Sequence, residues 1–595
     1  MPSRRRRRAV VTGLLAPVAV VVLAGGWSAH LGLGVREHLE AAKSALLRLR
    51  AVTSTRDPAL MGRAIADARW HAAEARRLTA DPCWSMMTHV PLVGEGATTV
   101  RGLAESAAEL TDVLAAVQRA AAVFVTAETH SPGTGETHSP DNVPRLLADL
   151  DAAAPVLRDA AGRLTRVSSR LAATPADTGV DLLDQARGTA LQEVDQLRGW
   201  LGDAATAAAL LPPMLGRDGP RRYFLAFQTN AEARGTGGLV GAFGILEADR
   251  GKIGIRRLSS NAGLGTSPTP VVDHGPAFRA RYGPSAAKLL SISNLSPHFP
   301  YAAATWTGLW EQQNHRRLDG ALATDPVGLS YLLKVIGPVA LHGGETVTAE
   351  NVVDLTERAA YARYDDPVAR KRFLIKIAGA VSEALPASFA EPSRLLPVLF
   401  RMVDERRIQI WSRRRAEQSR LSATAVGGVL PERPGPFAGL VVNNSAGGKL
   451  DYYLERSLDY ELGPCMGGTR SATVRIRLTN DVPRGSLPTY VTGRLDSPQR
   501  SHRPGSNLLW VSLYAGVGTR MSAARLDGQE TSVIREDERS HPVYSTLLEF
   551  APRQSRTLEF DLTEPSSNEP PLVPVQPLVR PQQTRIIENT VGCAP

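Results

Sequence analysis

With 595 residues, 43% of them hydrophobic and 22% charged, the chain is too long for a single core and too apolar to be disordered throughout. The net charge is +10, and Arg4 to Arg8 supply five of those charges. The mild remainder shows no basic stripe with interleaved aromatics, which excludes a nucleic-acid binder, and we read the scarcity of lysine among the basic residues as a mark of a GC-rich genome.

The chain opens with MPSRRRRR, a basic tail over residues 1–8, followed by an uncharged apolar run from Ala9 to Trp27. That run is long enough to cross a ~30 Å hydrocarbon core as a helix. Trp27 stands where an interfacial aromatic belongs, and the arginines should hold their end in the cytoplasm. The expectation is a transmembrane signal anchor over 9–29 with the bulk of the chain extracytoplasmic, at the cell membrane. A cleaved signal peptide is the alternative, because LAGGWSA offers small residues near a cut.

From 30 to 215 the pattern is helical. Val100, Leu103, Ala107, Leu110, Leu114 and Val117 recur by three and four, as do Leu150, Ala153, Leu157, Ala160, Leu164 and Leu171. Each series predicts one apolar seam on a helix. Between them, ETHSPGTGETHSP reads as an exposed loop whose His130 and His138 are solvated rather than metal-bound. The pattern leaves open a stalk or a folded-back bundle.

At about 216 the texture changes. RYFLAFQ reads as a buried strand, and the glycines that follow run into a second strand, a turn at Asp249–Arg250–Gly251 and a third strand. A dinucleotide site needs its glycines to open a helix. None follows here, so no nucleotide cofactor is expected and the glycines are read as a tight approach between strand ends. Strand and helix alternation through 216–430 predicts an α/β layered domain.

From 436 to 595 the pattern is β. TVRIRLTN sends Val474, Ile476 and Leu478 to one face, and TLEFDL sends Leu558, Phe560 and Leu562. This predicts an antiparallel sandwich, with TRIIENTVGCAP rejoining the sheet. Cys465 and Cys593 fall in this region and are disulfide candidates outside the cell. Cys83 is left over and expected to be buried. The fold class is therefore multidomain α and β: membrane helix, helical bundle, central α/β domain and C-terminal sandwich.

Familiar catalytic signatures are missing: no HExxH, Walker A or GxSxG is present, and SAAK at Ser285 to Lys288 lacks the KTG partner of penicillin-binding enzymes. What stands out instead is a set of segments in order: DPCWSMMTHVPLVG, FQTNAEARGTGGLVGAFGIL, ISNLSPHFPYAAATWTGLW, DGALATDPVGLSYLLKVIGPV and VNNSAGGKLDYYLERSLDYE. Together they resemble domain of unknown function 4012, a family of exported, membrane-anchored bacterial proteins. That resemblance implies a cell-envelope location and no particular activity.

A second likeness is to the LytR-CpsA-Psr phosphotransferases, which move a glycopolymer from a polyprenyl diphosphate carrier to the cell wall. It rests on LDGALATDPVGLSYLLKVIGPV and YARYDDPVARKRFLIKIAGAV. It implies an anion site lined by Arg363, Asp366, Arg370 and Arg372, with Arg234 standing in for the arginine after the enzymes' first core strand. Asn230 and Glu232, at the same glycine turn as Arg234, are read as polar groups facing the shared cleft. Several guanidinium donors suit a diphosphate, and a Mg2+ ion held by Glu232 would share that role. The sequence departs from the enzymes at Ser259 to Gly265, where their acid is missing. Two functions are thus in play. One is a membrane-anchored envelope protein that binds an anionic glycopolymer, a lipid-linked glycan or a partner protein. The other is a phosphotransferase acting on a polyprenyl-diphosphate-linked glycopolymer.

Overall fold

The computed structural model describes residues 30–48, 58–129, 142–388, 392–485 and 487–593. The basic tail, the expected membrane span, His130 and His138 lie outside them. No helix among the described residues is long and apolar enough to cross a membrane. The chain forms two compact units that meet at Pro213 and Met214.

The first unit is helical: α1 (30–48), α2 (Pro58–Thr79), α3 (Pro82–Met87), α4 (Gly94–Thr129), α5 (Asn142–Ala172) and α6 (Asp181–Met214). It is folded back on itself. Thr99 near the start of α4 bonds Pro175 just beyond the end of α5, and Glu109 pairs with Arg163 deeper in the bundle, so α4 and α5 run antiparallel. The α5 seam holds, with Ala153, Ala160, Leu164 and Leu171 buried. On α4 the buried member is Val113, which lies beside the predicted series and packs with Ala160, Leu164 and Leu201, while Leu110 and Val117 of that series are partly buried around it. But α4 has a second buried face. Ala108 meets Ala42 and Ala72, and Ala104, Thr111 and Ala115 are buried as well. Hydrophobic spacing missed that face because alanines are small enough to let helices approach without forming a conspicuous stripe. Cys83 is half-buried rather than buried.

The second unit begins with a mixed sheet in the order β3-β2-β1-β4-β7, built from β1 (Arg221–Arg234), β2 (Gly237–Asp249), β3 (Lys252–Ser260), β4 (Gly320–Thr324) and β7 (Ile408–Ser412). Only β1 and β4 run parallel. The β2–β3 hairpin turns on Arg250 and Gly251, both with positive φ, as a two-residue turn that matches strand twist requires. Helices α7 (Pro276–Tyr282) and α8 (Phe299–Asn314) precede β4, and α8 seals one face of the sheet through Trp306, Phe299 and Trp310 against Phe224 and Phe243. The helix α9 (Pro326–Ile336) follows β4, capped by the Asp325 side chain on the Gly328 N–H, with Pro at its first turn and Gly337 at its end, the arrangement expected from caps.

A small hairpin, β5 (Val339–Ala340) and β6 (Thr346–Val347), leads to α10 (Val352–Asp354), a π-helical turn over Leu355–Ala359, α11 (Ala360–Arg363) and α12 (Pro367–Ser388), which lies across β3.

The sandwich pairs a six-stranded sheet with a four-stranded one. The first holds β9 (Leu454–Met466), β10 (Thr469–Asn480), β12 (Arg520–Leu526), β13 (Gln529–Glu530), β16 (Ser555–Pro565) and β17 (Gln582–Glu588). The second holds β8 (Ala438–Asn444), β11 (Asn507–Ala515), β14 (Ile534–Glu538) and β15 (His541–Phe550). Val474, Ile476, Leu478, Leu558, Phe560 and Leu562 all point into the core as their alternation predicts. β17 rejoins the sheet beside β9, in parallel.

The α/β layer and the sandwich form one unit, Met214–Pro595, where the sequence suggested two domains. The reason is visible in β1, whose Ala233 sits inside the sandwich core with Leu440 and Leu458. On the other side Arg281 of α7 donates to Ser512 and Ser545 of the four-stranded sheet at 2.7 and 3.0 Å and stacks over Trp510 at 4.5 Å.

Candidate functional site: a buried ion network at the end of β1

The glycine stretch is a joint between layers. Between Thr229 and Ala233 the pairing of β1 with β2 jumps, leaving residues 230–232 outside the ladder. A bulge of this kind re-aims side chains. A Cβ on Gly235 would lie 2.2 Å from the Leu295 carbonyl oxygen, and one on Gly238 would lie 2.1 Å from that of Thr229. Only glycine allows this approach. Gln228 fastens the turn, accepting hydrogen bonds from Thr236, the Gly238 N–H and Asn294.

The released residues enter a buried polar cluster. Glu232 bonds Arg234 at 2.6 Å through one oxygen and Lys449 through the other. All three are about nine-tenths or more buried. Burial alone would push the Glu232 carboxyl up, but Lys449 and Arg234 outweigh it and hold the group below the usual carboxylate range. Arg234 also donates to the carbonyls of Ser291, Ala233 and Asn444. Asn230 donates to the Pro577 carbonyl, and Gln576 bonds the Arg234 carbonyl and both backbone groups of Val442.

Two further carboxyls close the cluster. Asp451, fully buried, accepts from the Ala233 N–H and from Asn444 and Asn507. Burial raises its pKa despite those bonds. Glu357, on the π-helical turn, accepts the Ala231 N–H at 2.7 Å. Burial pushes it up to about 8, so it is largely protonated at neutral pH. Its second oxygen has no hydrogen-bond partner.

Of the predicted arginine set, Arg370 comes to this cluster. Its guanidinium lies over the Tyr490 ring at 3.7 Å, the ring that Lys449 approaches at 5.6 Å, and Tyr490 stacks on Tyr361. Arg370 is buried and donates to the Tyr364 carbonyl. Arg363 and Arg372 do not join it. Arg363 is exposed and clamped bidentately by Glu345 at 2.7 and 2.9 Å, over Phe373. Arg372 points to solvent on α12. Asp366 is also exposed and caps α12, accepting the Val368 and Ala369 N–H groups, which lower its pKa. Arg370 and Arg372 part company because two positions on a regular helix turn side chains to opposite sides, and the chain is helical from Pro367 onward.

The expected open cleft is therefore a filled junction. A divalent ion at Glu232 would have to displace Lys449 or Arg234, and among the described residues no group of three His, Cys, Asp or Glu is placed to hold a metal. Lys449, Asp451, Glu357 and Tyr490 were not singled out by sequence reasoning. Lys449 and Asp451 do lie in the quoted segment VNNSAGGKLDYYLERSLDYE, but nothing in its pattern tells which polar residues turn inward. Farther along, Cys465 and Cys593 are bridged with Cα atoms 4.9 Å apart, fixing the chain beyond β17 to β9.

Residues 218–361 match the family model described as protein of unknown function (DUF4012). This is the resemblance read in the sequence, and it spans β1 to α11. No curated protein matches the chain. One solved structure, from Legionella pneumophila subsp. pneumophila str. Philadelphia 1 and described as a candidate nutrient-binding protein, aligns at 6% identity with a TM-score of 0.15. That alignment covers 22% of this chain and 44% of that one, a likeness too slight to carry an argument.

Proposed function

We propose that the chain is a membrane-anchored, extracytoplasmic cell-envelope protein that binds an anionic polymer along an exposed basic edge and does not transfer it. The observation that carries this reading is the juxtaposition of β3 and α12. β3 is the outer strand of the mixed sheet and exposes Lys252, Arg256 and Arg257; α12 lies against it and exposes Arg372 and Lys376. Lys371 of α12 bonds Asn261 just beyond β3, at 3.0 Å, locking the two together. Two acids of β2 face this edge: Glu247, at 3.9 Å from Arg256 and already paired with Arg222 at 3.0 Å, and Asp249, opposite Lys252 and paired with Arg250 at 3.6 Å. Guanidinium groups held on a rigid sheet and helix suit a chain of phosphate or carboxylate groups.

What weighs against the transferase alternative is the state of Arg234, the residue that the LytR-CpsA-Psr likeness places on the diphosphate. Its guanidinium is occupied by Glu232 and three carbonyls. A substrate would have to break a buried ion pair to reach it, at a cost of several kcal/mol.

The test uses the full chain in detergent and poly(glycerol phosphate) as probe. Binding should weaken between low and high salt, as exposed charge contacts do, and the combined variant R256S/R257N/R372S/K376S should lose at least about tenfold in affinity, or 1.4 kcal/mol. Unchanged affinity of that variant sinks the proposed edge. Release of polymer from a polyprenyl diphosphate carrier by the wild-type protein sinks the non-catalytic reading.

A further inference from the structure

We infer that the turn between α3 and α4 is an apolar tip that enters the lipid bilayer beside the anchor. The inference rests on the membrane anchor of the function proposed above.

Three connections meet at one end of the helical unit. The start of α1 is there, because Leu31 and Val35 pack on Trp84 and Ala97, and Trp84 donates its indole N–H to the Ala97 carbonyl at 3.0 Å. The α3–α4 turn is there by chain connection. The α5–α6 loop is there too, because Thr99 bonds Pro175 and a Cβ on Gly96 would touch Leu183. This end carries a concentration of large exposed apolar side chains: Leu92 at 100%, Met86 at 70%, Leu33 at 69% and Leu182 at 68%, joined by Val90 and Val93. A contiguous apolar surface marks an interaction site rather than chance exposure.

The turn is built, and not a slack loop. The N–H groups of Thr88, His89, Val90, Val93 and Gly94 bond backbone carbonyls within the segment and Pro91 has no N–H, so that the Leu92 N–H at the apex is the one left to the headgroup layer. A Cβ on Gly94 would sit 2.5 Å from the Thr88 carbonyl oxygen, so glycine closes the turn. Leu92 is held at φ 71 at its apex, a left-handed conformation that is costly for a branched side chain. Internal satisfaction of most of the turn's N–H groups lowers the cost of entering the interface.

The occupant follows from where the described chain begins. The apolar run ends at Trp27 and α1 is described from residue 30. Three peptide links span at most about 11 Å, so the end of the unit that holds the first turn of α1 lies at the membrane surface if Ala9–Trp27 spans it. Arg36 is paired with Glu40 and Asp81 caps α3, while the exposed His89, Glu95 and Asp181 stand beside the apolar side chains in sequence, a polar rim around an apolar tip in the manner of interfacial anchors that bury roughly 5–10 Å deep.

The experiment reconstitutes the full chain in phosphatidylcholine vesicles, with Cys83→Ser and an environment-sensitive fluorophore on Leu92→Cys or, as control, on Gln196→Cys in the exposed flank of α6. Both positions are exposed, so labelling leaves packing intact. The Leu92 probe should shift to the blue and be quenched several-fold more by lipid spin-labelled high on its acyl chain than the Gln196 probe. If the protein floats with the vesicles and the Leu92 probe stays water-like, the inference falls while the anchor stands. A blue shift without quenching by spin-labelled lipid means that a second copy covers the tip, and also overturns it. Failure to float overturns the anchor and the inference together.

Discussion

Two regions of the second unit are rich in arginine and lysine, and they behave in opposite ways. At the end of β1 the cations Arg234, Lys449 and Arg370 are buried, each held by a carboxylate, a carbonyl or an aromatic ring. Along β3 and α12 the cations Lys252, Arg256, Arg372 and Lys376 stand in solvent on regular elements. An arginine cluster in sequence therefore does not announce a ligand. A buried guanidinium held as Arg234 is, by Glu232 and three carbonyls, fixes how two layers meet, and an exposed one on a rigid edge is available to a partner. Buried charges demand partners because desolvation is costly. Exposed ones are screened and contribute little to stability.

The sharpest way to break this contrast is at Glu232. Glu232→Leu leaves Arg234 and Lys449 buried without their shared carboxylate, and chemical unfolding should show a loss of about 3–5 kcal/mol. A loss below ~1 kcal/mol would mean that the network is hydrated and open, which would return the cleft to consideration as a binding site. Next in size is the covalent tie. Replacing Cys465 and Cys593 by Ser frees a loop of sequence separation 128 and should cost about 2–4 kcal/mol, with one reactive thiol in the denatured wild type and no more.

Glu357 sharpens the contrast through pH. Its folded pKa, about 8, lies above the ordinary value of 4.5, so the native state holds a proton that the unfolded chain releases. That stabilisation is complete below the unfolded value and is lost as pH rises toward and through 8. Glu357→Gln keeps the acceptor for the Ala231 N–H, so the variant should match wild type near pH 5 and exceed it by about 1–3 kcal/mol at pH 9. Parallel melting curves of the two proteins from pH 5 to 9 would remove Glu357 from the buried network. The smallest effect separates two neighbours on α12. Arg372→Ala should change stability by less than ~0.5 kcal/mol, as surface substitutions do. Arg370→Ala should cost about 1–3 kcal/mol through lost packing on Tyr490 and Tyr361. Equal effects would mean that the two arginines share one environment after all.

Much of the fold was legible in the chain because its signals are local. Alternation in TVRIRLTN and TLEFDL placed Val474, Ile476, Leu558 and Phe560 in the core, since a strand has a period of two. The strand–helix alternation predicted through 216–430 is met by β4 followed by α9, whose ends carry cap chemistry at Asp325 and Gly337. The glycines of GTGG were read as a strand-to-strand joint, and Gly235 and Gly238 make it. The Cys465 and Cys593 candidates meet across β9 and the segment after β17.

Tertiary structure alone decided which charged residues face one another. Glu232, Lys449 and Arg370 are far apart in sequence, and no period links a bulge in β1 to a loop before β9 and a helix start. The spacing of Arg363, Arg370 and Arg372 could not reveal that Glu345 takes the first, a Tyr490 ring the second and water the third. Nor could hydrophobic spacing expose the alanine face of α4, which becomes a core only when α2 lies against it. Sequence determines what each segment prefers because propensity and periodicity act over a few residues. Partnership between buried charges is set by the packing of whole layers, where desolvation leaves a polar group little choice of neighbour.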